Sequence, residues 1–292
     1  MDAPGPNLPP GQAVDLPGRG QTWVYDTGPT PDGANPALVR PALVLLHGWT
    51  STAALNWFRC MPALAREYRV VALDHRGHGR GIRSRRPFRL EDCADDVAAL
   101  VEVLGCGPVT TVGYSMGGPI AQLLWQRHPE IVDGLVLCAT AARFSTRPEF
   151  NGPVGVLGYG MAMALAGVPA NLRRQGFSLL VRNRAAETGA APWAIEEWER
   201  NDPAALLQAG LALSRFDSTG WIGGIDVRTS VVVTTLDVTV PPSRQWHLAQ
   251  SIPDARGFPV AGDHRACVDQ ARVFVPTLLA ACRAAQRTPA AT

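Results

Sequence analysis

The chain has 292 residues, of which 46% are hydrophobic and 18% are charged, which is enough apolar material for one large core. All 27 basic residues are Arg, so chemistry that needs a Lys amine, such as Schiff-base catalysis or a P-loop, is excluded. The net charge is only +2, and the basic run at 80–89 lacks the flanking basic helices of a nucleic-acid surface. We therefore expect a solvated loop at 80–89 and no nucleic-acid partner.

The first 20 residues contain neither the basic nor the apolar segment of a secretory signal. We expect a flexible, Pro-rich N-terminal arm over 1–20 and a cytoplasmic protein. The six cysteines show no CxxC pair and no metal-ligand spacing, which predicts reduced, structural thiols and no bound metal.

Strands and helices alternate through the first half of the chain. Nearly continuous apolar runs predict strands buried on both faces at 42–48, 69–74, 109–115, 133–140 and 229–237, with a last strand at 255–262. Helical patterns cover 90–105, which ends in Gly105, and 117–128, which stops before Pro129. This alternation predicts an open α/β sheet with right-handed crossovers.

The alternation stops after Thr140. Residues 141–225 have few strand signals, much Ala and Gly, and three Trp, which predicts a helical cap inserted into a core of 21–140 and 226–292. The uncharged stretch 152–172 holds five Gly and two Pro, so we expect an apolar lid helix around 160–168 rather than a membrane span. Peripheral contact of the apolar cap with a lipid surface or a partner stays open.

The stretch TTVGYSMGGPI at 110–120 places Ser115 in a GxSxG motif. The pentapeptide alone is weak evidence, but here it follows a predicted strand and opens a predicted helix. In that setting a sharp turn exposes the serine oxygen at the carboxyl edge of the sheet. Small residues at Gly113 and Gly117 allow the close backbone approach that such a turn requires. We predict that Ser115 is a nucleophile.

A nucleophilic serine needs a base to take its proton. His264 lies in a polar loop after the last predicted strand, where a parallel sheet presents catalytic groups. His128 and His247 belong to helical patterns, and we interpret them as surface or packing residues. His75 and His78 lie in a turn, and we interpret them as structural hydrogen-bonders. We predict that His264 is the base.

The base needs a carboxylate that holds its tautomer, and the tetrahedral intermediate needs hydrogen-bond donors. Asp237 stands at the end of a predicted strand, whereas Asp226 precedes that strand and Asp263 is adjacent to the predicted base. We therefore predict Asp237 as the acid, and the backbone N–H groups of Trp49 and Met116 as the oxyanion donors. His47 reads as a buried hydrogen-bonder, and the side chains of Trp49 and Met116 are expected to shape an acyl pocket.

Five motifs follow one another along the chain: LLHGW, ALDHRGHGR, GYSMGG, VVVTTLDVTVPP and AGDH. Together they resemble the α/β-hydrolase fold superfamily, in its serine-nucleophile, esterase- and lipase-like branch, from about residue 22 to 285. The resemblance implies a mostly parallel eight-stranded sheet flanked by helices, with a helical cap inserted after strand six. It implies no metal and no organic cofactor.

The expected activity is that of a serine hydrolase, which cleaves an ester, thioester or lactone of a small, hydrophobic acyl substrate through an acyl-enzyme. Three alternatives stay open: a carbon-carbon bond hydrolase of diketone-like substrates, a lipid-surface acyltransferase, and a non-catalytic ligand-binding relative. The sequence does not predict the natural substrate or the oligomeric state.

Overall fold

The computed structural model describes residues 6–29, 40–144, 160–161, 164–165 and 167–286. Eight strands form one sheet in the order β1-β2-β4-β3-β5-β6-β7-β8. The strands are β1 (Gly11–Leu16), β2 (Gly20–Asp26), β3 (Ala42–Leu46), β4 (Arg69–Leu73), β5 (Val109–Tyr114), β6 (Val132–Cys138), β7 (Arg228–Thr234) and β8 (Arg256–Val260). The pairs β1–β2 and β2–β4 are antiparallel, and the remaining pairs are parallel. The prediction of a mostly parallel, eight-stranded sheet is confirmed.

The first strand corrects one prediction. Gly11–Leu16 pairs with β2 along its whole length, so the expectation of a flexible arm over 1–20 is wrong for these residues. Val14 and Leu16 are buried in the core, which offsets the entropy lost on ordering the segment. The sequence did not predict this strand, because an edge strand pairs on one side only and tolerates flanking segments rich in Pro and Gly, which are typical of loops.

Helices flank both faces of the sheet. They are α1 (Ala53–Trp57), α2 (Met61–Leu64), α3 (Leu90–Leu104), α4 (Gly117–Arg127), α5 (Ala170–Thr188), α6 (Pro192–Glu199), α7 (Pro203–Arg215), α8 (Pro242–Ser251) and α9 (Ala271–Ala285), with short 3-10 turns at Pro129–Ile131 and Ile222–Gly224. As predicted, α3 ends at Gly105, whose φ of 55° suits the left-handed cap, and α4 ends before Pro129. Within the described ranges, none of the helices combines the length and the apolar character needed to cross a bilayer.

The core lies on both sides of the sheet. Leu43 and Leu45 of β3 pack into one apolar cluster, with α1, α2 and α9, while Val44 and Leu46 pack into the other, with α3 and α4. All four side chains are fully buried. This explains why the central strands read as continuous apolar runs rather than as an alternating pattern.

The helices α5, α6 and α7 lie between β6 and β7, where the cap is predicted; the expected lid helix around 160–168 falls largely outside the described residues. They contact loops of the core. The Trp198 indole N–H donates to Thr50 O over 2.7 Å, and the Asp202 N–H donates to Gly77 O over 2.9 Å. Arg83 is not simply solvated as expected for 80–89, because its guanidinium donates to the carbonyl of Arg200 over 2.7 Å.

Candidate active site

The predicted site residues meet at the carboxyl edge of the parallel strands. Ser115 follows β5, Asp237 follows β7 and His264 follows β8. The segments after β7 and β8 are tied together, since the N–H groups of Thr235 and Leu236 donate to the carbonyls of Val260 and Gly262 over 2.9 and 3.0 Å. The sheet hydrogen bonding therefore continues past the strand ends and brings the segments of the histidine and the aspartate together.

Ser115 sits on a strained strand-to-helix turn. Its φ of 51° lies in the left-handed region, which is unfavourable for a residue with a Cβ. The turn is held by the Ser115 N–H, which donates to Cys138 O over 2.9 Å, and by the Thr140 hydroxyl, which donates to Ser115 O over 2.8 Å. A Cβ at Gly113 would lie 2.3 Å from the carbonyl oxygen of Gly117, so a side chain there is excluded by the backbone.

The three predicted side chains form a hydrogen-bonded chain. His264 Nε2 lies 3.0 Å from Ser115 Oγ, and His264 Nδ1 lies 2.7 Å from Asp237 Oδ2. An ionised carboxylate only accepts hydrogen bonds, so the proton of the neutral imidazole is on Nδ1. Nε2 then presents its lone pair to the serine hydroxyl, which is the arrangement that proton abstraction requires.

Asp237 is buried and surrounded by donors. Oδ1 accepts the N–H groups of Thr239 and Val240 over 2.8 and 2.9 Å, and Oδ2 accepts the Thr234 hydroxyl over 2.9 Å as well as the His264 ring. Burial alone would raise the pKa of Asp237, but the hydrogen bond and the electrostatic attraction of the His264 ring, with the hydrogen bonds of Val240 and Thr234, outweigh it and lower the pKa. The carboxylate is therefore held in its ionised form.

The runner-up carboxylates bind other groups. Asp226 Oδ1 accepts the indole N–H of Trp125 over 3.0 Å, and Asp263 Oδ1 accepts the N–H of Arg265 over 2.8 Å. Within the described part of the chain, neither of these two carboxylates contacts a ring nitrogen of His264.

Among the described residues, none of the other five histidines is hydrogen-bonded to Ser115. His128 Nε2 bonds Asp95 at 2.9 Å, at the surface. His47, His75 and His78 form a buried cluster; His47 Nδ1 bonds Gly48 O at 2.8 Å, and its Nε2 accepts the N–H of His75 at 3.0 Å. The interpretation of His47 and His78 as buried hydrogen-bonders agrees with this placement, since His78 Nδ1 bonds Arg76 O at 3.0 Å. The interpretation of His75 as a structural hydrogen-bonder is wrong for its side chain, because within the described residues neither of its ring nitrogens has a hydrogen-bond partner.

The loop after β3 passes beside the serine. A Cβ built on Gly48 would lie 3.3 Å from the Cβ of Ser115, and the Gly48 N–H donates to Asn56 Oδ1 over 2.9 Å. No acceptor within the described residues takes the backbone N–H of Trp49 or of Met116. The Met116 side chain is fully buried in the core, whereas the Trp49 indole is 42% exposed and donates to Leu206 O over 2.7 Å.

Four supporting residues were not predicted. Tyr114 donates its hydroxyl to His264 O over 3.0 Å, Asn56 fixes the loop at Gly48, and Thr234 and Gln245 surround Asp237. Tyr114 and Thr234 each end a strand next to a segment of the site, and that position is the only sequence signal they offer. Asn56 and Gln245 lie on helices and act across segments, so no local pattern marks them.

The cysteine near the site has no chemical role in this geometry. Burial raises the pKa of the Cys267 thiol to about 12, so the reactive thiolate is not formed at neutral pH. All six cysteines are free. Within the described ranges, no group of three or more His, Cys, Asp and Glu side chains could hold a metal ion.

Comparison with known proteins identifies the surrounding fold. A family model described as the alpha/beta hydrolase fold matches residues 41–270. A protein of Caulobacter segnis named as a candidate carbamate hydrolase, RutD, is 28% identical over 244 residues, which cover 80% of this chain and 88% of the relative. A pimeloyl-(acyl-carrier protein) methyl ester esterase of Neisseria meningitidis is 28% identical over 214 residues, which cover 73% of this chain and 81% of the relative. The solved enol-lactonase of Burkholderia xenovorans superposes with a TM-score of 0.72 at 23% identity, covering 92% of this chain and 98% of that one.

Proposed function

Because the chain belongs to the α/β-hydrolase family, we propose that it is a serine hydrolase that cleaves an ester of a hydrophobic acyl group. The observation that carries the proposal is the hydrogen-bonded chain from Ser115 through His264 to Asp237, with distances of 3.0 and 2.7 Å. No metal and no organic cofactor takes part in the proposed reaction.

The proposed reaction begins with proton transfer. His264 Nε2 takes the hydroxyl proton of Ser115 as the oxygen attacks the ester carbonyl, and Asp237 stabilises the imidazolium that forms. The imidazolium then donates its proton to the leaving alkoxide, and an acyl-enzyme remains on the serine. In the second half, His264 deprotonates a water molecule, which attacks the acyl carbonyl. The bond between the acyl carbon and Ser115 Oγ then breaks, the imidazolium returns its proton to Oγ, and the acid leaves.

The developing oxyanion needs donors that are already in place. We propose the backbone N–H groups of Trp49 and Met116, because the loop after β3 runs beside Ser115 and neither N–H has an acceptor in the described part of the chain. Loss of one such donor typically costs about 3 kcal/mol of transition-state stabilisation. Since both groups belong to the backbone, their positions depend on the loop conformation rather than on the side chains.

Exposed apolar side chains that adjoin the proposed site residues in sequence support the apolar character of the proposed acyl group. Trp49 is 42% exposed and Val238, next to Asp237, is 90% exposed. Such apolar surface gains free energy when an apolar ligand covers it. Two of the relatives matched by sequence are named for a carbamate and a methyl ester, and in both compounds an acyl carbon is bonded to a heteroatom. This favours ester cleavage over the carbon-carbon alternative.

The test is covalent labelling with a fluorophosphonate, together with hydrolysis of nitrophenyl esters of increasing acyl length. We expect the wild type to be labelled, Ser115→Ala to lose labelling, and turnover to rise with acyl length. Ser251→Ala is the matched control, because the Ser251 hydroxyl is exposed and donates only to His247 O within its own helix. Folded wild type that is not labelled would contradict the proposal, and cleavage of a diketone but of no ester would favour the carbon-carbon alternative.

A further inference from the structure

Gln245 lies behind the proposed triad and touches neither the serine nor the histidine. It belongs to α8 and is fully buried. Its Oε1 accepts the backbone N–H of Thr234 over 3.0 Å, and its Nε2 donates to Val240 O over 2.7 Å. Because one partner is an obligate donor and the other an obligate acceptor, these two contacts fix which end of the amide is oxygen and which is nitrogen.

The orientation of the amide decides where the Thr234 hydroxyl hydrogen points. The second N–H of Gln245 Nε2 is directed at Thr234 Oγ1, at 2.8 Å, with Asp237 Oδ2 further away at 3.3 Å. The hydroxyl oxygen thus accepts from the amide and has one hydrogen left to donate. Its remaining close acceptors are Asp237 Oδ2 at 2.9 Å and Gln245 Oε1 at 3.2 Å, and Oε1 already accepts the Thr234 N–H. The hydrogen therefore goes to Asp237.

We propose that Gln245 is a positioning residue, which directs the Thr234 hydroxyl onto the carboxylate oxygen that also binds His264. The inference rests on the proposed function, since it assigns a role relative to the triad. Asp237 Oδ2 divides its negative charge between the hydroxyl and the imidazole N–H. A hydroxyl that donates to Oδ2 therefore weakens the pull of the carboxylate on the imidazolium. Among the described residues, His264 is the only ionisable side chain that hydrogen-bonds Asp237.

The first test is the pH dependence of kcat/KM on a short nitrophenyl ester, whose acid limb reports protonation of the histidine in the free enzyme. Thr234→Val removes the hydroxyl donor, whereas Gln245→Met removes only the amide that holds the hydroxyl oxygen. Both are expected to move the acid limb upward, by about 0.5 pH unit for Thr234→Val and by less for Gln245→Met. Thr234→Ser keeps the hydroxyl and is expected to keep the wild-type midpoint.

The matched control is Gln122→Met. Gln122 is also a fully buried glutamine, but its amide binds Ala141 O and the Ser218 hydroxyl, and it touches none of the triad. A purely structural loss lowers the amount of active enzyme without moving the midpoint, and this is the expected behaviour of Gln122→Met. Fluorophosphonate labelling counts the active sites of each variant.

The decisive variant is the double substitution Thr234→Val with Gln245→Met. If Gln245 acts through the Thr234 hydroxyl, the double variant shifts the acid limb no further than Thr234→Val alone. Additive shifts would overturn the inference, because Gln245 would then act independently through its own 3.3 Å contact with Asp237. An unshifted midpoint in Gln245→Met, in enzyme that is fully labelled, would also overturn it while leaving the proposed function standing. A wild type that is not labelled would instead contradict the proposed function itself.

Discussion

Among the single residues of the proposed site, Asp237 receives the most support from its neighbours. Its two oxygens accept two backbone N–H groups, the Thr234 hydroxyl, the His264 ring and a longer contact from Gln245. Such a set of donors keeps the carboxylate ionised and fixes its plane. The direction of the His264 ring then follows from the position of Oδ2.

Asp237→Asn tests whether the carboxylate sets the tautomer of His264. An amide nitrogen in place of Oδ2 donates a hydrogen bond, so Nδ1 would lose its proton and Nε2 would carry it. Nε2 could then no longer accept the Ser115 proton, and we expect kcat to fall by about 10⁴-fold. The measurement is ester hydrolysis beside Asp226→Asn, whose carboxylate binds Trp125 and whose loss is expected to leave kcat unchanged. Full activity of Asp237→Asn would remove this residue from the proposed triad.

The three side chains of the proposed triad could be found from the sequence because each follows an apolar run that forms a strand. Parallel strands deliver their carboxyl ends to one edge, so three separate positions along the chain become neighbours. Thr234 and Gln245 could not be found in this way. Their role depends on which hydrogen each group has left to donate, and that is decided only when β7 and α8 pack together.

At the scale of elements, continuous hydrophobicity located the central strands and periodicity located α3 and α4. The β1 and β2 strands were not predicted. They are held by their pairing with each other and by the pairing of β2 with β4, and their amino-acid composition does not mark them as strands. The general position of α5, α6 and α7 was predicted from the interruption of the alternation. The way these helices dock on the core could not be predicted, since it depends on single contacts such as the hydrogen bond of Trp49 with Leu206.

The contact between Trp49 and α7 leads to a prediction about Gly210. A Cβ at position 210 would lie 2.7 Å from Cζ2 of Trp49, so Gly210→Ala must displace the indole. The displacement moves the loop that carries the proposed oxyanion N–H, and we expect kcat to fall about tenfold. Steady-state kinetics on a short ester and thermal unfolding measure the effect.

The control for this prediction is Gly176→Ala in α5, where a Cβ would meet no atom of the described residues within 4 Å. There the substitution is expected to stabilise the helix by about 0.5 to 1 kcal/mol and to leave kcat unchanged. Equal kcat in Gly210→Ala and the wild type would mean that the loop is not coupled to α7.

At the scale of the whole molecule, buried ionisable groups set the stability at acid pH. Burial lowers the pKa of His75 to about 3 and that of His78 to about 4, and burial with the neighbouring rings lowers the pKa of His47. These rings stay neutral in the folded chain but take up protons in the unfolded chain below about pH 6.5, so stability falls as pH falls. Asp74 acts in the opposite sense, because burial raises its pKa to about 6 and the folded chain keeps its proton.

Together these groups predict a steep loss of stability between pH 6 and 5. Three histidine protons favour the unfolded state and one aspartate proton favours the folded state, a net of about two protons. The free energy of unfolding is therefore expected to fall by about 3 kcal/mol per pH unit, as measured by urea unfolding across this range.

His75→Phe tests the origin of this slope. Within the described residues, both ring nitrogens of His75 are buried without a hydrogen-bond partner, so an apolar ring of similar shape fits the site. The slope should decrease by about 1.4 kcal/mol per pH unit, the contribution of one proton. Val71→Ala, a buried apolar substitution on β4, should lower stability equally at every pH. If His75→Phe leaves the slope as it is in the wild type, the histidine cluster does not cause the acid sensitivity.

The backbone hydrogen bonds that join the segments after β7 and β8 make the acid–base pair part of the sheet's own framework. The inserted helices, by contrast, reach the proposed chemistry through the loop of Trp49. The inserted helices could therefore be exchanged without changing the segments that carry the proposed acid and base. A chimera that takes its inserted helices from a relative would exchange the walls around the substrate and keep His264 in register with Asp237. Trp49 would have to be rematched to the new helices, together with the core loops that contact Trp198, Arg200 and Asp202.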